Sequence, residues 1–118
     1  MASLDELTKL TQKFSADRDW GQFHSPRNLA MALSVEANEL LELFLWSRDD
    51  GPQPAHPSRQ PRVADEAADV LHCLLNLCAV CDIDLESALR NKLERAALKY
   101  PIEKSHGKSL KYDELPDS

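Results

Sequence analysis

The chain lacks the features of a membrane-spanning or exported protein. Its 118 residues contain no run of about 18 apolar side chains and no apolar stretch near the N-terminus that resembles a signal sequence. We therefore expect a soluble, cytoplasmic protein with no membrane partner. Basic residues are also in the minority, at 14 against 20 acids, and the net charge of −6 provides no electrostatic basis for binding a nucleic acid polymer.

Cysteine is scarce, and its positions argue against a disulfide framework and against a zinc site. The three cysteines, Cys73, Cys78 and Cys81, fall within nine positions, and pairing inside one helix is geometrically poor. An odd number fits a reducing interior. Cys78-x-x-Cys81 has no second ligand pair at the spacing that zinc requires. We predict structural thiols.

The sequence shows no strand signal and no internal repeat, and it predicts an all-α fold in a single domain, residues 1–118. Four helical patterns are bounded by capping residues and prolines: Ser3 to about Asp17, Ser25-Pro26 to about Ser47, about Arg62 to Cys81, and Asp84 to about Lys99. A polar linker, residues 49–62, holds four of the seven prolines. Residues 102–118 are expected to form an irregular tail.

Two pairs of acids interrupt the two most apolar stretches of the chain. Glu36 and Glu39 lie within residues 29–46, and Glu66 and Asp69 lie within residues 63–77. Each pair is spaced i, i+3, and at about 100° per residue each shares a helical face with apolar neighbours. Buried carboxylates are costly unless they are paired, hydrogen-bonded or bound to a cation. The pattern therefore predicts a metal site.

Oxygen-only ligands favour a hard ion such as Mg²⁺, which commonly binds carboxylates together with substrate phosphates. Four unliganded acids would repel one another and raise at least one pKa, whereas Mg²⁺ and a polyphosphate would relieve that repulsion. A bound ion can also activate water and stabilise charge on a transferring phosphoryl group. Hydrolysis of a phosphate ester or phosphoanhydride is predicted. The alternative is that the acids pair with lysines and arginines on the surface of a helical bundle.

The second helix is apolar around most of its circumference, with Leu41 and Leu45 roughly opposite Glu36. A helix of this kind is buried on several sides. In a chain of this size, burial against another subunit is favoured, which predicts an obligate oligomer. The alternative is that both leucines face another helix of the same chain.

Aromatic side chains flank the second helix and are candidates for contacting a base. They are Trp20, Phe23, His24 and Trp46. Trp46 follows Glu39 by two turns on nearly the same face, where it could stack on a base while the metal holds the phosphates. The alternative is ordinary core packing. Basic residues of the fourth helix, Lys92, Arg95 and Lys99, are candidates for phosphate contacts or a solvated stripe.

These motifs resemble those of the all-α nucleoside triphosphate pyrophosphatases, the MazG-like superfamily. The four-carboxylate pattern Glu36-x-x-Glu39 with Glu66-x-x-Asp69 is its general signature. The run from Arg18 to Leu29 resembles the dCTP pyrophosphatase branch more specifically, as do Glu42-Leu-Phe-x-Trp46, Lys99-Tyr-Pro101 and Lys111-Tyr-x-Glu-Leu-Pro116. The resemblance covers essentially the whole chain.

The resemblance implies Mg²⁺-dependent cleavage of a (deoxy)nucleoside triphosphate to monophosphate and pyrophosphate, in cleansing of the nucleotide pool. It implies a four-helix-bundle-like subunit, assembled into a homotetramer that is a dimer of dimers, with active sites between subunits. By the same resemblance, the catalytic Mg²⁺ ligands are Glu36, Glu39, Glu66 and Asp69. The substrate-binding residues are Trp20, Phe23, His24, Asn28, Trp46, Lys92 and Lys99.

The chain departs from the cytosine-selective members at three positions expected near the substrate. It has Thr11, Cys73 and Ala96 where they have His, Tyr and Asn. The preferred base, and whether it is modified, is therefore open. Two other functions are alternatives: a non-catalytic helical interaction module with vestigial acids, and a di-iron carboxylate bundle suggested by Asp69-x-x-His72. The second helix supplies no matching His for the di-iron site.

Overall fold

The structure, a computed structural model, describes residues 3–46 and 56–116. It contains helices α1 (Leu4–Asp17), α2 (Pro26–Glu42), α3 (Gln60–Val80), α4 (Leu85–Lys99) and α5 (Ile102–Ser105), with 3-10 turns at Trp20–Phe23 and Tyr112–Glu114. No strand occurs in these two ranges, which confirms the all-α prediction. None of the helices in the same ranges combines the length and apolarity needed to cross a bilayer.

Capping residues begin three of the helices where the sequence predicts. The Ser3 hydroxyl accepts a hydrogen bond from the Glu6 amide at 3.2 Å, and the Ser25 hydroxyl accepts one from the Asn28 amide at 3.1 Å. The Asp84 carboxylate accepts one from the Ser87 amide at 3.1 Å. Each bond satisfies an amide that has no partner within its helix. The third helix begins at Gln60, within the predicted linker.

The predicted end of the second helix, near Ser47, is wrong. Regular α2 ends at Glu42, after which Phe44 donates to the Leu41 carbonyl at 2.9 Å, an i to i−3 bond that tightens the chain into turns. Trp46 has φ 64°, a left-handed conformation that cannot continue a right-handed helix. Trp46 therefore does not lie two helical turns beyond Glu39. Residues 47–55, which include much of the predicted linker, lie outside the described residues.

The part of the chain up to Ile83 forms one compact unit, in which α2 and α1 both pack on α3. Its buried apolar side chains include Leu29 of α2 and Leu75 and Cys78 of α3. Burying these side chains together fixes the faces that α2 and α3 turn toward each other. The two helices that carry the predicted metal ligands are therefore held side by side.

A second compact unit begins at Asp84 and contains α4, α5 and the 3-10 turn at Tyr112–Glu114. The rings of Tyr100 and Tyr112 meet edge to face at a centroid distance of 6.3 Å. The Lys99 ammonium lies 4.8 Å from the Tyr112 ring centroid, a cation–π contact. The tail expected to be irregular thus contains two short helical segments and returns to the end of α4.

Candidate metal centre and active site

Three of the four predicted acids meet between α2 and α3. Glu36 and Glu39 of α2 and Glu66 of α3 each offer a carboxylate oxygen, and the three oxygens lie within 4.8 Å of one another. The i, i+3 spacing places the two α2 acids on neighbouring positions of one face, and the packing of α2 on α3 brings Glu66 to the same place. We call these three residues the acid cluster.

The acid cluster is electrostatically unsatisfied. One carboxylate oxygen of Glu36 and one of Glu66 are buried without a hydrogen-bond partner. Burial, a hydrogen bond with Glu39 and the charges of Glu39, Asp69 and Glu66 raise the pKa of Glu36. Burial, followed by the charges of Glu39 and Asp69, raises the pKa of Glu66. A cation would relieve both the burial cost and the repulsion, and carboxylate oxygens are donors that suit a hard divalent ion.

Asp69 lies at the edge of this arrangement. It is exposed and is not one of the three residues whose oxygens converge. Its negative charge nevertheless contributes to the raised pKa of Glu36, Glu66 and Cys73, so it acts on the same region. Glu36 and Glu39 have the same i, i+3 spacing and do converge, so the difference lies in the side chain: Asp is one methylene shorter than Glu.

A pocket of about 520 Å³ opens beside the acid cluster. Its walls are Glu39, Glu42, Leu43, Arg59, Arg62 and Glu66. The volume is within the range of small-ligand sites, and the lining combines carboxylates with two guanidinium groups. The basic residues predicted from the sequence all lie on the fourth helix and include neither Arg59 nor Arg62. The available signal was the spacing of Arg62 and Glu66, which places them one turn apart on α3.

Trp20 is attached to the α1–α3 side of this unit through ring contacts. Its ring meets Phe14 edge to face at 5.7 Å, and Phe14 in turn meets His72 of α3 at 5.8 Å. The Arg18 guanidinium lies 3.7 Å from the Phe14 ring centroid. Trp20 keeps 44% of its surface exposed. Phe14, the centre of these contacts, was not among the predicted site residues.

The other predicted base-contacting residues are distributed over several places. The Asn28 side-chain amide donates to the Phe23 carbonyl at 3.0 Å, which ties the turn to the start of α2. His24 lines a second pocket of about 220 Å³ with Gln12, Ser15 and Asn76. Trp46 is fully exposed, at 101%. These contacts place Phe23 and Asn28 together but do not assemble the predicted base wall as one surface.

The remaining predicted positions are placed as follows. Lys92 and Lys99 lie on α4, and Lys99 contacts Tyr112 of its own unit. The Thr11 hydroxyl donates to the Thr8 carbonyl at 2.8 Å. Cys73 is half-buried, and burial followed by the charges of Glu36 and Asp69 raises its pKa, which places this thiol beside the acids.

His72, the histidine of the di-iron alternative, packs on Phe14 and has a buried ring nitrogen without a hydrogen-bond partner. In the part of the chain that the structure describes, the one group of side chains converging at metal-binding distance is the acid cluster, which contains carboxylates alone. The donor set is therefore that of a hard ion.

Comparisons with known proteins identify the family of the chain. Residues 31–115, which include all four acids, match the MazG-like family. The chain is 41% identical over 116 residues to dCTP pyrophosphatase 1 of Rattus norvegicus and of Homo sapiens, which covers 97% of this chain and 68% of each relative. A crystal structure of a pyrophosphatase from Archaeoglobus fulgidus superimposes with a TM-score of 0.77 at 38% identity, covering 86% of this chain and 94% of that one. On its sequence, its helices and its acid cluster, the chain belongs to the MazG-like family.

Proposed function

We propose that the chain is a Mg²⁺-dependent nucleoside triphosphate pyrophosphohydrolase that acts on dCTP or related, modified deoxynucleotides. Water adds to the triphosphate, the bond between the α- and β-phosphates breaks, and a nucleoside monophosphate and pyrophosphate leave. The observation that carries the proposal is the acid cluster, whose buried and unpartnered oxygens fit a hard cation. The relatives named dCTP pyrophosphatase 1 support the choice of substrate.

In this proposal Glu36, Glu39 and Glu66 hold Mg²⁺, with Asp69 as a fourth acid that completes the site. The ion, when bound, supplies charge neutralisation for the phosphates and lowers the pKa of a bound water. One carboxylate orients the attacking water and accepts its proton, which then passes to solvent.

Base recognition is proposed for the aromatic and polar side chains that the sequence singled out: Trp20, Phe23, His24, Asn28 and Trp46. Trp20 is supported by its contact with Phe14, which holds the ring, and by the 44% of its surface that stays exposed. Stacking on an aromatic ring tolerates any base, so selectivity would come from the polar neighbours. Lys92 and Lys99 are proposed phosphate contacts.

We further propose a single functional domain, residues 1–118, assembled into a homotetramer that is a dimer of dimers and located in the cytoplasm. The exposure of apolar side chains on α2 and just after it supports the assembly. Val35, Leu41 and Leu45 are 55%, 58% and 55% exposed. Covering such surface by another subunit would contribute on the order of 25 cal/mol per Å².

The proposed function is tested by measuring pyrophosphate release from a panel of canonical and modified deoxynucleoside triphosphates, with and without Mg²⁺. The expected result is Mg²⁺-dependent pyrophosphate release, with dCTP or a modified dCTP among the preferred substrates. Calorimetry with Mg²⁺ and a non-hydrolysable triphosphate provides the second measurement. Absence of both turnover and coupled binding would instead support the non-catalytic interaction module.

A further inference from the structure

The pocket beside the acid cluster contains a basic end that the proposed metal ligands do not use. Arg59 immediately precedes α3, and Arg62 lies in the first turn of the helix. Both side chains line the same pocket as Glu39 and Glu66 of the acid cluster. A pocket with carboxylates at one side and guanidinium groups at the other matches a ligand in which a metal and phosphate oxygens are bound next to each other.

Arg62 shows an unusual lack of partners for its surroundings. Three carboxylates, Glu39, Glu42 and Glu66, line the pocket with it. Within residues 3–46 and 56–116, however, no ion pair or hydrogen bond joins the Arg62 side chain to any of them. Arg62 also differs from Arg90 of α4, which pairs with Glu86 at 3.2 Å. The Arg62 guanidinium therefore keeps its five donors for a ligand.

The start of α3 adds partial positive charge at the same place. No side chain caps the first amides of this 21-residue helix. The aligned peptide dipoles of a helix favour anions at its N-terminus. Arg62 and the helix dipole thus both attract an anion to this place, and the attraction is greater for a ligand that carries several negative charges.

The order of side chains along α3 indicates how a triphosphate would lie. Arg62 and Glu66 are separated by about 40° around the helix and about 6 Å along it, and Cys73 follows Glu66 by about 10 Å on the same face. The Phe14 ring contacts His72, the residue before Cys73 on α3, and the Trp20 ring contacts Phe14. Along the axis of α3 the order is therefore basic at Arg62, acidic at Glu66 and aromatic contacts at His72, which is the order of terminal phosphates, cleavage point and base.

We propose that Arg62 binds the two phosphates that leave as pyrophosphate. The proposal rests on the pyrophosphohydrolase function above and extends it, because it assigns the orientation of the substrate and a phosphate-binding residue on α3. The guanidinium donates to the β- and γ-phosphate oxygens in the substrate and to pyrophosphate in the product. Arg62 has no role in binding the base in this proposal.

The test is calorimetric binding of inorganic pyrophosphate, in the presence of Mg²⁺, to the wild type, Arg62→Gln and Arg62→Lys. Loss of hydrogen bonds to a charged ligand should weaken pyrophosphate binding about ten- to hundred-fold in Arg62→Gln. Arg62→Lys keeps the charge but not the planar fork, so the loss should be smaller. Nucleoside monophosphate binding should be unchanged in both. The matched control is Arg90→Gln, which should bind both ligands as the wild type does.

Two outcomes would overturn the assignment: an unchanged pyrophosphate affinity in Arg62→Gln, and an equal loss of affinity for pyrophosphate and monophosphate. In the first case, a tighter Mg²⁺ affinity of the variant would mean that Arg62 merely offsets the charge of the acid cluster. Because Arg62 is exposed, the variants should fold, and Arg62→Lys preserves the test if Arg62→Gln does not. If the wild type cleaves no triphosphate but binds pyrophosphate through Arg62, the proposed function fails while the Arg62 site stands.

Discussion

The acid cluster and the aromatic side chains differ in how closely their members lie together. The cluster comes from two helices that pack directly on each other, and its oxygens converge within 4.8 Å. The aromatic residues are divided between the turn at Trp20, which contacts α1, and the exposed Trp46 beyond the end of α2. The proposed metal site thus lies within one compact unit. The side chains proposed to recognise the base, in contrast, keep exposed surface.

The largest effect is expected at the cluster. Glu66→Gln removes one proposed ligand charge while preserving shape, and it should lower kcat at least about a hundred-fold for every triphosphate. Because the acids act on the phosphates, the loss should not depend on the base. Steady-state kinetics with several triphosphates provides the measurement. Glu42→Gln, in the same pocket but outside the cluster, is the control, and a similar loss there would argue against a specific site.

A smaller and base-dependent effect is expected at Trp20. Removing a stacking partner costs about 1–3 kcal/mol per base, so Trp20→Ala should raise KM about five- to hundred-fold with less effect on kcat. Trp20→Phe retains an aromatic ring beside Phe14 and should recover much of the loss. Binding of inorganic pyrophosphate, which has no base, should be unaffected. A loss of pyrophosphate affinity would contradict the proposal that Trp20 contacts the base and the acid cluster acts on the phosphates.

The cluster should also make the stability of the metal-free protein depend on pH. The pKa values of Glu36 and Glu66 are raised in the folded chain above their ordinary value of 4.5. The folded state therefore binds more protons than the unfolded state, so this contribution is fully present below pH 4.5 and is lost as pH rises through the raised pKa values. Unfolding by denaturant at a series of pH values measures the slope. Glu36→Gln should reduce that slope.

Added Mg²⁺ should oppose the loss of stability at neutral pH, since a ligand that binds only the folded state stabilises it. The increase in melting temperature should be present in the wild type and reduced in Glu36→Gln. A metal-free protein whose stability rises between weakly acidic and neutral pH would contradict the assignment of raised pKa values to these two acids.

The smallest effect is expected at the cap of α2, where a substitution should change stability but not kcat. Ser25→Ala removes the hydroxyl that caps α2 and should lower the free energy of unfolding by about 1 kcal/mol. The substituted atom lies more than two turns from Glu36, so kcat at a temperature where the variant is folded should stay close to the wild-type value. Ser34→Ala, at an exposed position inside α2, is the matched control and should change stability much less. A large loss of kcat in Ser25→Ala would link the cap to the site.

Local sequence signals predicted the helix starts and the acid cluster because both depend on short spacings. Ser25-Pro26 specifies a helix start within two residues, and Glu36-x-x-Glu39 specifies one helical face. The end of α2 had no such signal, because the apolar residues continue to Trp46 while the backbone turns left-handed there. A positive φ at a tryptophan is set by its surroundings and has no local mark in the sequence.

The basic side of the pocket depends on which helices meet, which spacing alone did not reveal. The linker between α2 and α3 was expected to be merely polar, and its last residues, including Arg62, prove to be the first turn of α3 beside Glu39. Asp69 shows that a matching spacing does not ensure convergence. Its spacing from Glu66 equals that of Glu36 from Glu39, yet the shorter side chain lies outside the three converging acids.

The most direct test of the account is to identify the products formed from dCTP and Mg²⁺ by the wild type and by Glu39→Gln, using phosphorus NMR. The wild type should form monophosphate and pyrophosphate in equal amounts without orthophosphate. Glu39→Gln should keep its helical circular dichroism and form neither product. Retained pyrophosphate release in folded Glu39→Gln would contradict the claim that the acid cluster is the reaction centre.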